Sequence, residues 1–270
     1  MTREFDFYIV PTPIGNIQDI TLRAIEVLKS VDLIACEDTR TTQKLLNHYS
    51  ISTKCISYHK YNEKERVNLF LDELRAGKKI ALVSDAGTPM ICDPGAVIIP
   101  ALLEHNFSVT SLPGACAITT FLSRIPRKNE QFLFIGFMPR TEEQIKSVIT
   151  KYSSENIVFY DSPERILKTL KIVEKYRGNV MTAVGRELSK LYEEVVIKNV
   201  TDIIDYFSSG MKGEIVCMLY ADESTEDSEI YQKVQVLKSK GFKDKEISVI
   251  LSALYKCNKN DVYRIALNIS

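Results

Sequence analysis

Ile80-Ala-Leu-Val-Ser-Asp-Ala-Gly-Thr-Pro-Met-Ile-Cys-Asp-Pro-Gly95 is the stretch that decides the fold of this 270-residue chain. It begins with four consecutive apolar residues and continues into a loop rich in Gly, Pro and Asp. Strands that are apolar at consecutive positions are typical of a parallel sheet whose two faces are both buried under helices. The stretch therefore predicts a mainly parallel sheet flanked by helices, with a loop at the carboxyl end of the strand.

Units of the same kind recur along the chain. Short β-branched and aromatic runs, which favour strands, alternate with amphipathic runs, which favour helices. We predict strands at 7–11, 33–36, 79–84, 108–112, 132–137, 156–160, 180–184, 194–200 and 214–220. Predicted helices lie between them at 21–30, 41–49, 63–76, 95–105, 116–123, 141–152, 163–176 and 202–207. One series closes at 112–114 and another starts after 124–128, which predicts two consecutive α/β domains over about 1–113 and 114–221.

The end of the chain differs in composition from the rest. Residues 222–229 hold five acids and no base, which predicts a solvated linker. After it, residues 230–270 predict a small helical module with helices at 230–240, 245–255 and 261–268, the last with Asn260 as its N-cap. From 232 to 270, eight basic residues stand against three acids, so this C-terminal module carries a charge of about +5.

Composition excludes several classes of protein. Hydrophobic residues make up 45% of the chain and charged residues 26%, as in soluble globular proteins. The chain has no apolar run of roughly 18 residues and no signal-peptide pattern at its start, so we expect a cytoplasmic protein. The 35 basic and 35 acidic residues balance, which argues against a wholly basic surface but not against a local basic patch. The six cysteines and three histidines are scattered without metal-ligand spacing, so we expect no metal.

Three loops rich in Gly, Pro and Asp follow predicted strands. They are Val10-Pro-Thr-Pro-Ile-Gly-Asn-Ile-Gln-Asp-Ile-Thr21, the part of the opening stretch after Val83, and Leu112-Pro-Gly-Ala-Cys-Ala117. Each alone is typical of an ordinary turn, but in open α/β sheets ligands bind outside the carboxyl ends of strands. The dinucleotide fingerprint G-x-G-x-x-G and the phosphate loop G-x-x-x-x-G-K-[ST] are both absent. The loops thus favour a neutral or zwitterionic ligand held by backbone groups.

At these residues the sequence resembles a known family. The segment 8–21 closely resembles the opening motif of the ribosomal RNA small-subunit methyltransferase I family, which belongs to the tetrapyrrole-methylase superfamily and modifies cytidine at the 2′-oxygen. Matching stretches follow in order at 31–40, 80–95, 111–117, 134–139, 159–165, 185–189 and 212–216. The resemblance covers residues 7–220 and extends to the small C-terminal helical module. It implies two α/β domains of the tetrapyrrole-methylase type with a cofactor cleft between them.

The resemblance also implies a cofactor, a substrate and partners. S-adenosylmethionine is expected to bind folded in the cleft, and the substrate is expected to be 16S ribosomal RNA in the small ribosomal subunit, acted on by a homodimer. The residues expected around the cofactor are Pro13, Asp85, Thr88, Pro89, Ala115, Cys116, Ala117, Tyr160, Leu188 and Gly213. Asp85 is expected to hold the methionyl ammonium by a charge-assisted hydrogen bond, unless it only caps a turn.

Methyl transfer to a ribose hydroxyl requires a group that accepts the hydroxyl proton. The candidates in this sequence are Asp38, with its neighbour Glu37, and Glu187. The favoured single role of Asp38 is capping the helix that follows it, and the alternative for Glu187 is an ion pair with Arg186 or another neighbour. The sequence therefore leaves the general base open.

Several residues at loop ends suit contacts with RNA. Guanidinium groups present a rigid fork to phosphate oxygens, and aromatic rings stack on splayed bases. The candidates are Arg40, His59, Arg124, Arg140, Arg165 and Arg186, with Tyr61 beside His59. The other interpretation is a set of solvated arginines and a semi-exposed aromatic loop.

Two other functions remain open. A methyltransferase of the same superfamily acting on a tetrapyrrole is one, although such enzymes typically open with a Gly-rich first loop where this chain has Val10-Pro-Thr-Pro. A binding module without catalysis is the other, against which the intact cofactor loops argue.

Overall fold

The computed structural model describes residues 4–93, 95, 97–127, 131–222, 226–255 and 257–268, without the side chains of 226–229, 231, 232 and 268. Its first sheet is parallel throughout, in the order β3-β2-β4-β1-β5. The strands are β1 Phe7–Ile9, β2 Leu33–Cys36, β3 Lys54–Ser57, β4 Ile80–Val83 and β5 Val109–Ser111. The helices between them are α1 Leu22–Ser30, α2 Thr39–His48, α3 Glu63–Arg75 and α4 Ile98–Glu104.

Both faces of this sheet are buried, which explains the apolar run in β4. Ile80 and Leu82 join the core that contains the apolar residues of α3 and α4. Ala81 and Val83 join the core that contains those of α1 and α2. Alternate residues of β4 thus pack into the helix layers on opposite faces of the sheet, so a polar side chain at any of the four positions would be buried in a core.

The second sheet has the order β6-β7-β10-β8-β9. Its strands are β6 Leu133–Phe137, β7 Ile157–Asp161, β8 Met181–Arg186, β9 Glu194–Asn199 and β10 Ile215–Leu219. The associated helices are α5 Ala117–Leu122, α6 Glu142–Lys151, α7 Ile166–Arg177 and α8 Val200–Tyr206. Only β6 and β7 pair in parallel, and the other three pairings are antiparallel. The prediction of a mainly parallel sheet is therefore wrong here, because an apolar run reports burial on both faces and not strand direction.

The structure differs from the sequence prediction at three further points, two of them helix starts that are set by a capping side chain. Helix α2 begins at Thr39, two residues before the predicted start, because the Asp38 carboxylate accepts the N–H of Arg40 as an N-cap. The edge strand β3 has no apolar run and was not predicted. In the last helix the Asn258 side chain accepts the N–H of Asn260, so Asn258 is the cap and the prediction of Asn260 is wrong.

The C-terminal module consists of α9 Glu226–Ser239, α10 Asp244–Tyr255 and α11 Lys259–Asn268. It has its own core, formed by Ile230, Val234, Ile247, Leu251, Val262 and Ala266. Because α9 begins at Glu226, half of the predicted linker is helical; acids in a first turn complement the helix dipole. Of the remainder, 223–225 lie outside the described residues. Within the described ranges, no helix has both the length and the apolar character needed to span a membrane.

A glycine in β8 lets α5 pack directly on the second sheet. A Cβ built on Gly185 would lie 2.7 Å from Cδ2 of Phe121, a fully buried residue of α5. Phe121 belongs to the core that also contains Ile14 of the first loop and Leu188. This contact therefore sets how closely the segment after the first sheet approaches the second sheet.

Replacing Gly185 with Ala should destabilise the protein by about 1–3 kcal/mol, because the added methyl group overpacks the core at Phe121. The measurement is urea unfolding followed by circular dichroism. The double variant Gly185→Ala with Phe121→Leu should recover part of the loss, since the two sites are in contact. An unchanged unfolding midpoint in Gly185→Ala would contradict this packing.

Candidate functional site

A cavity of about 390 Å³ lies between the two sheets, a volume within the range of small-molecule sites. We call it the central cavity. The first domain contributes Ile14, the loop 85–88 and the loop 91–93 to its walls. The remaining lining residues are Cys116, Ala117, Phe137, Tyr160, Asp161, Ser162, Pro163, Leu188, Gly213, Glu214, Ile215 and Val216.

The loops after β1, β4 and β5 are tied to one another by hydrogen bonds. Thr12 and Gly87 exchange backbone hydrogen bonds of 2.9 Å in both directions. The hydroxyl of Thr88 donates to the carbonyl of Ala115 at 2.9 Å. Gly87 has φ +80°, a conformation that a side chain would strain. The three loops singled out in the sequence thus form one connected wall.

The opposite wall is organised by Glu187, which follows β8. Its carboxylate accepts the Nζ of Lys190 at 2.9 Å and the backbone N–H of Glu214 at 2.9 Å. Gly213 has φ +88°, and a Cβ there would overlap the Glu187 carboxylate. Glu187 therefore joins the loop after β8 to the loop before β10.

The two walls meet at Gly15. A Cβ on this residue would lie 2.5 Å from Cγ of Lys190 and 2.8 Å from the carbonyl oxygen of Leu188. The Ser189 hydroxyl also contacts the carboxylate of Asp19 across the same junction. The first loop therefore needs glycine at this point, because the second domain lies directly on it.

The charged residues of the central cavity are all acidic. Asp85, Asp93, Asp161 and Glu214 line it, and none of the described lining residues is Lys, Arg or His. Asp161 is paired with Arg165 and Glu214 with Lys190. In the described part of the chain, Asp85 and Asp93 have no ion-pair partner, so they leave a net negative charge in the cavity.

Burial and mutual repulsion shift the carboxyl groups of this region. Burial, together with the nearby charge of Glu37, raises the pKa of Asp93 to about 6. Burial and the charge of Asp85 raise the pKa of Glu37, and burial raises the pKa of Asp85. The backbone N–H of Asp38 donates to Oδ1 of Asp85 at 3.0 Å and only partly offsets that effect.

Seven of the ten residues expected around the cofactor line the central cavity: Asp85, Thr88, Cys116, Ala117, Tyr160, Leu188 and Gly213. Pro13, Pro89 and Ala115 are not among the lining residues, although Ala115 holds Thr88 through its carbonyl. Sequence reasoning missed Asp93 and Phe137 as individual site residues. The segments containing them were singled out, but the sequence did not indicate which side chains point into the cavity.

The structure gives two of the three proposed bases, Asp38 and Glu187, a structural role. Asp38 caps α2, and its hydrogen bonds with Arg40 hold its pKa at about 2. Glu187 is paired with Lys190, which lowers its pKa. Neither lines the central cavity, and a lowered pKa makes a carboxylate a weaker proton acceptor.

The residues proposed for RNA contacts fall into two groups. Arg165 donates to the carbonyls of Met138 and Pro139, Arg124 pairs with Glu193, and Arg186 pairs with Glu194. Arg165 in particular is an anchor of the segment after β6. In the second group, Arg40 is exposed although it is paired with Asp38, Arg140 is exposed, and the ring of His59 lies 6.0 Å from that of the almost fully exposed Tyr61.

The residues of the central cavity fit S-adenosylmethionine. This molecule carries a sulfonium and an ammonium group, and two unpaired carboxylates stand in the cavity without a competing cation. The same lining would repel a pyrophosphate, in agreement with the missing phosphate-binding motifs. Among the described residues there is also no cluster of three or more His, Cys, Asp or Glu side chains placed to hold a metal ion.

Comparisons with known proteins agree with this fold and site. The sequence pattern of the family described as Tetrapyrrole (Corrin/Porphyrin) Methylases matches residues 6–204. The chain is 40% identical over 230 residues to Ribosomal RNA small subunit methyltransferase I of Hydrogenobaculum sp. (strain Y04AAS1). This alignment covers 84% of this chain and 98% of that protein. It is 37% identical over 269 residues to the protein of that name in Halalkalibacterium halodurans, covering 96% of this chain and 93% of the relative.

A solved structure shares the fold at lower sequence identity. It is the uroporphyrin-III C-methyltransferase of Thermus thermophilus in complex with S-adenyl homocysteine, with a TM-score of 0.55 and 17% identity. The match covers 78% of this chain and 96% of that chain. At this identity the likeness supports the architecture of two α/β units and nothing finer.

Replacing Asp93 with Asn should stabilise the protein at pH 8 and lose this advantage as the pH falls to 4. The Asp93 pKa is about 6 in the folded protein and 3.8 when unperturbed, so folding favours the protonated form and stability is lost as pH rises through 6. The measurement is Tm against pH for variant and wild type.

Asp38→Asn is the matched control for this experiment. Because the Asp38 pKa is lowered to about 2, its charged form favours folding above pH 4, and the variant should lose stability at pH 8. A Tm difference for Asp93→Asn that does not vary between pH 4 and pH 8 would contradict the raised pKa.

Proposed function

Because the chain belongs to the ribosomal RNA small subunit methyltransferase I family, within the tetrapyrrole methylases, we propose that it methylates a cytidine 2′-oxygen of 16S ribosomal RNA in the small ribosomal subunit. The methyl donor is S-adenosylmethionine. The observation that carries the proposal is the acidic central cavity between the two sheets, built from the loops that carry the family resemblance. The reaction takes place in the cytoplasm.

Asp85 is the group that we propose to bind the methionyl ammonium. Its Oδ1 accepts the N–H of Asp38, which orients the carboxylate at the cavity wall and leaves its second oxygen for a ligand. Thr88, Cys116 and Ala117 lie on the same wall and offer backbone groups to the ligand. S-adenosylmethionine supplies a methyl group already activated by the positive sulfonium, so that alignment of the acceptor accounts for much of the catalysis.

Asp93 is the group that we propose to accept the proton of the ribose hydroxyl. It lines the central cavity, and its pKa of about 6 leaves it mostly ionised at neutral pH while it is a stronger base than an ordinary carboxylate. Asp38 and Glu187 lack both properties, since their pKa values are lowered and they stand outside the cavity.

The acceptor strand must approach from outside the cavity, where the exposed cations lie. Arg40 and Arg140 are both exposed, and Arg140 follows the strand that ends at the cavity-lining Phe137. Residues 232–270 of the C-terminal module carry about +5, and the acids Glu226, Asp227 and Glu229 at the start of α9 reduce the net charge of the module to about +2, which still favours attraction to the RNA backbone. The homodimer implied by the family resemblance stays a prediction, as does the tetrapyrrole substrate of the wider superfamily.

Incubation of the protein with labelled S-adenosylmethionine and unmethylated small ribosomal subunits should transfer label to a cytidine 2′-oxygen of 16S ribosomal RNA. The measurement is nuclease digestion of the RNA followed by mass spectrometry of the nucleosides. Uroporphyrinogen serves as the competing acceptor. Label on the tetrapyrrole and none on RNA would overturn the proposed substrate, and failure to bind the cofactor by calorimetry would overturn methyl transfer altogether.

Asp93→Asn should lower kcat for this transfer by about 10²–10⁴-fold, because the amide cannot accept the proton. In the wild type kcat should fall at acid pH as Asp93 becomes protonated, with an inflection below pH 6 because the bound sulfonium favours the charged carboxylate. The measurement is single-turnover methyl transfer between pH 5 and pH 8.

Glu37→Gln is the informative comparison for the base. The charge of Glu37 raises the pKa of Asp93, so its removal should move the inflection of the pH profile to lower pH while the rate at pH 8 is retained. An Asp93→Asn variant with near wild-type kcat would exclude this residue as the base.

A further inference from the structure

An aromatic ring is exposed at the central cavity. Phe137, the last residue of β6, lines the cavity although 61% of its surface is accessible to solvent. The other aromatic residue of the lining, Tyr160, is half-buried. Phe137 belongs to none of the hydrophobic cores formed by the described residues, so its ring offers apolar surface to a ligand at the cavity wall.

A bulge in β6 turns this ring towards the cavity. Phe134 pairs with Val158 and Phe137 pairs with Tyr160, so three steps along β6 match two along β7. In a regular strand residues 134 and 136 would share a face. The extra residue places Phe134 and Phe137 on the same side instead, with their ring centroids 5.3 Å and 5.6 Å from that of Tyr160.

Glycine is required at the bulge. Gly136 has φ +70°, and a Cβ there would lie 3.2 Å from Sγ of Cys92. The backbone of Phe137 also hydrogen-bonds the Cys92 thiol. The bulge therefore meets the loop 91–93 of the first domain, which brings Phe137 next to the segment that carries Asp93.

The exposed ring lies at the opening of the cavity, where an acceptor can reach it. A volume of about 390 Å³ lies at the lower end of the range for small-molecule sites, so one bound ligand fills it. The acceptor nucleotide must then meet that ligand at the opening, where exposed groups such as Phe137 and Ile91, 42% exposed, stand. Proteins that act on a single nucleotide commonly splay its base out and stack it on an aromatic side chain.

We propose that Phe137, presented by the Gly136 bulge, is the platform on which the base of the methylated nucleotide stacks. The inference rests on the proposed function, since it takes a nucleotide in RNA as the acceptor. Tyr160 supports the ring from beneath, and the base on Phe137 brings its ribose hydroxyl towards Asp93 in the adjoining loop. The ring thus helps to determine where the acceptor sits relative to the cofactor in the same cavity.

Phe137→Ala should raise KM for unmethylated small subunits about tenfold, consistent with the loss of one base–aromatic stack, and leave the cofactor Kd within twofold of wild type. Phe137→Tyr should retain activity, since a phenol ring stacks equally well. Phe132→Ala is the matched control, because Phe132 precedes the same strand and is 43% exposed but lies outside the central cavity. An unchanged KM in Phe137→Ala, or an equal loss of cofactor affinity, would overturn the platform.

A fluorescence experiment tests the platform without relying on catalysis. The chain contains no tryptophan, so Phe137→Trp introduces a single indole whose emission is quenched when a base stacks on it. Titration with unmethylated 16S ribosomal RNA should quench this variant and leave the Phe132→Trp control unchanged. If neither the wild type nor any variant transfers methyl groups to RNA, the proposed function fails, and the titration then tests the platform by itself. Quenching in Phe137→Trp but not in Phe132→Trp supports the platform. An equal response of the two variants overturns it.

Discussion

The close approach of the two domains at Gly15 is the constraint on which the site depends. The loop after β1 lies against the backbone of Leu188 and the side chain of Lys190, with no room for a Cβ between them. That approach brings Ile14 and Leu188 into one buried cluster and places Lys190 where it pairs with Glu187 and Glu214. This approach closes one side of the central cavity, and the contact of Gly136 with Cys92 joins the two domains at another point.

Closure of this cavity has an electrostatic consequence. Carboxylates that are brought together out of water raise one another's pKa, and Asp93, Glu37 and Asp85 show that effect in the same direction. A cation in the cavity relieves the repulsion, because it favours the charged form of each neighbour. The cavity is therefore suited to a positively charged ligand and unsuited to a phosphate, and the charge of its occupant is linked to the protonation of Asp93.

Features that depend on a short stretch of sequence, such as the positions of strands and loops, could be predicted from the sequence alone. Apolar runs located nine of the ten strands in the described part of the chain, and the three Gly-rich loops located one wall of the cavity. The relative direction of the strands in the second sheet was not predictable from the apolar runs, because a buried strand such as β10 is equally apolar whether its neighbours run parallel or antiparallel. Nor were Asp93 and Phe137, because their roles depend on a bulge and a loop contact between segments about 45 residues apart. Conversely, the sequence allowed Asp38 to be either a general base or a helix cap. Only the structure, in which its carboxylate accepts the N–H of Arg40, identifies it as the cap.

Backbone strain in the structure is concentrated at the same place. Six residues other than glycine have positive φ within the described ranges, and four of them, Met90, Cys92, Glu187 and Ser189, lie in the loops around the central cavity. Such conformations persist only when surrounding contacts hold them, as Lys190 and the N–H of Glu214 hold Glu187. Ser50 and Asn106 occupy turns directly after helices, where positive φ is a common way to end a helix. The remaining four strained residues therefore lie in the loops that carry the acidic lining and that contact the segment of Phe137. This distribution is expected if these loops are shaped to bind a ligand and not to maximise stability.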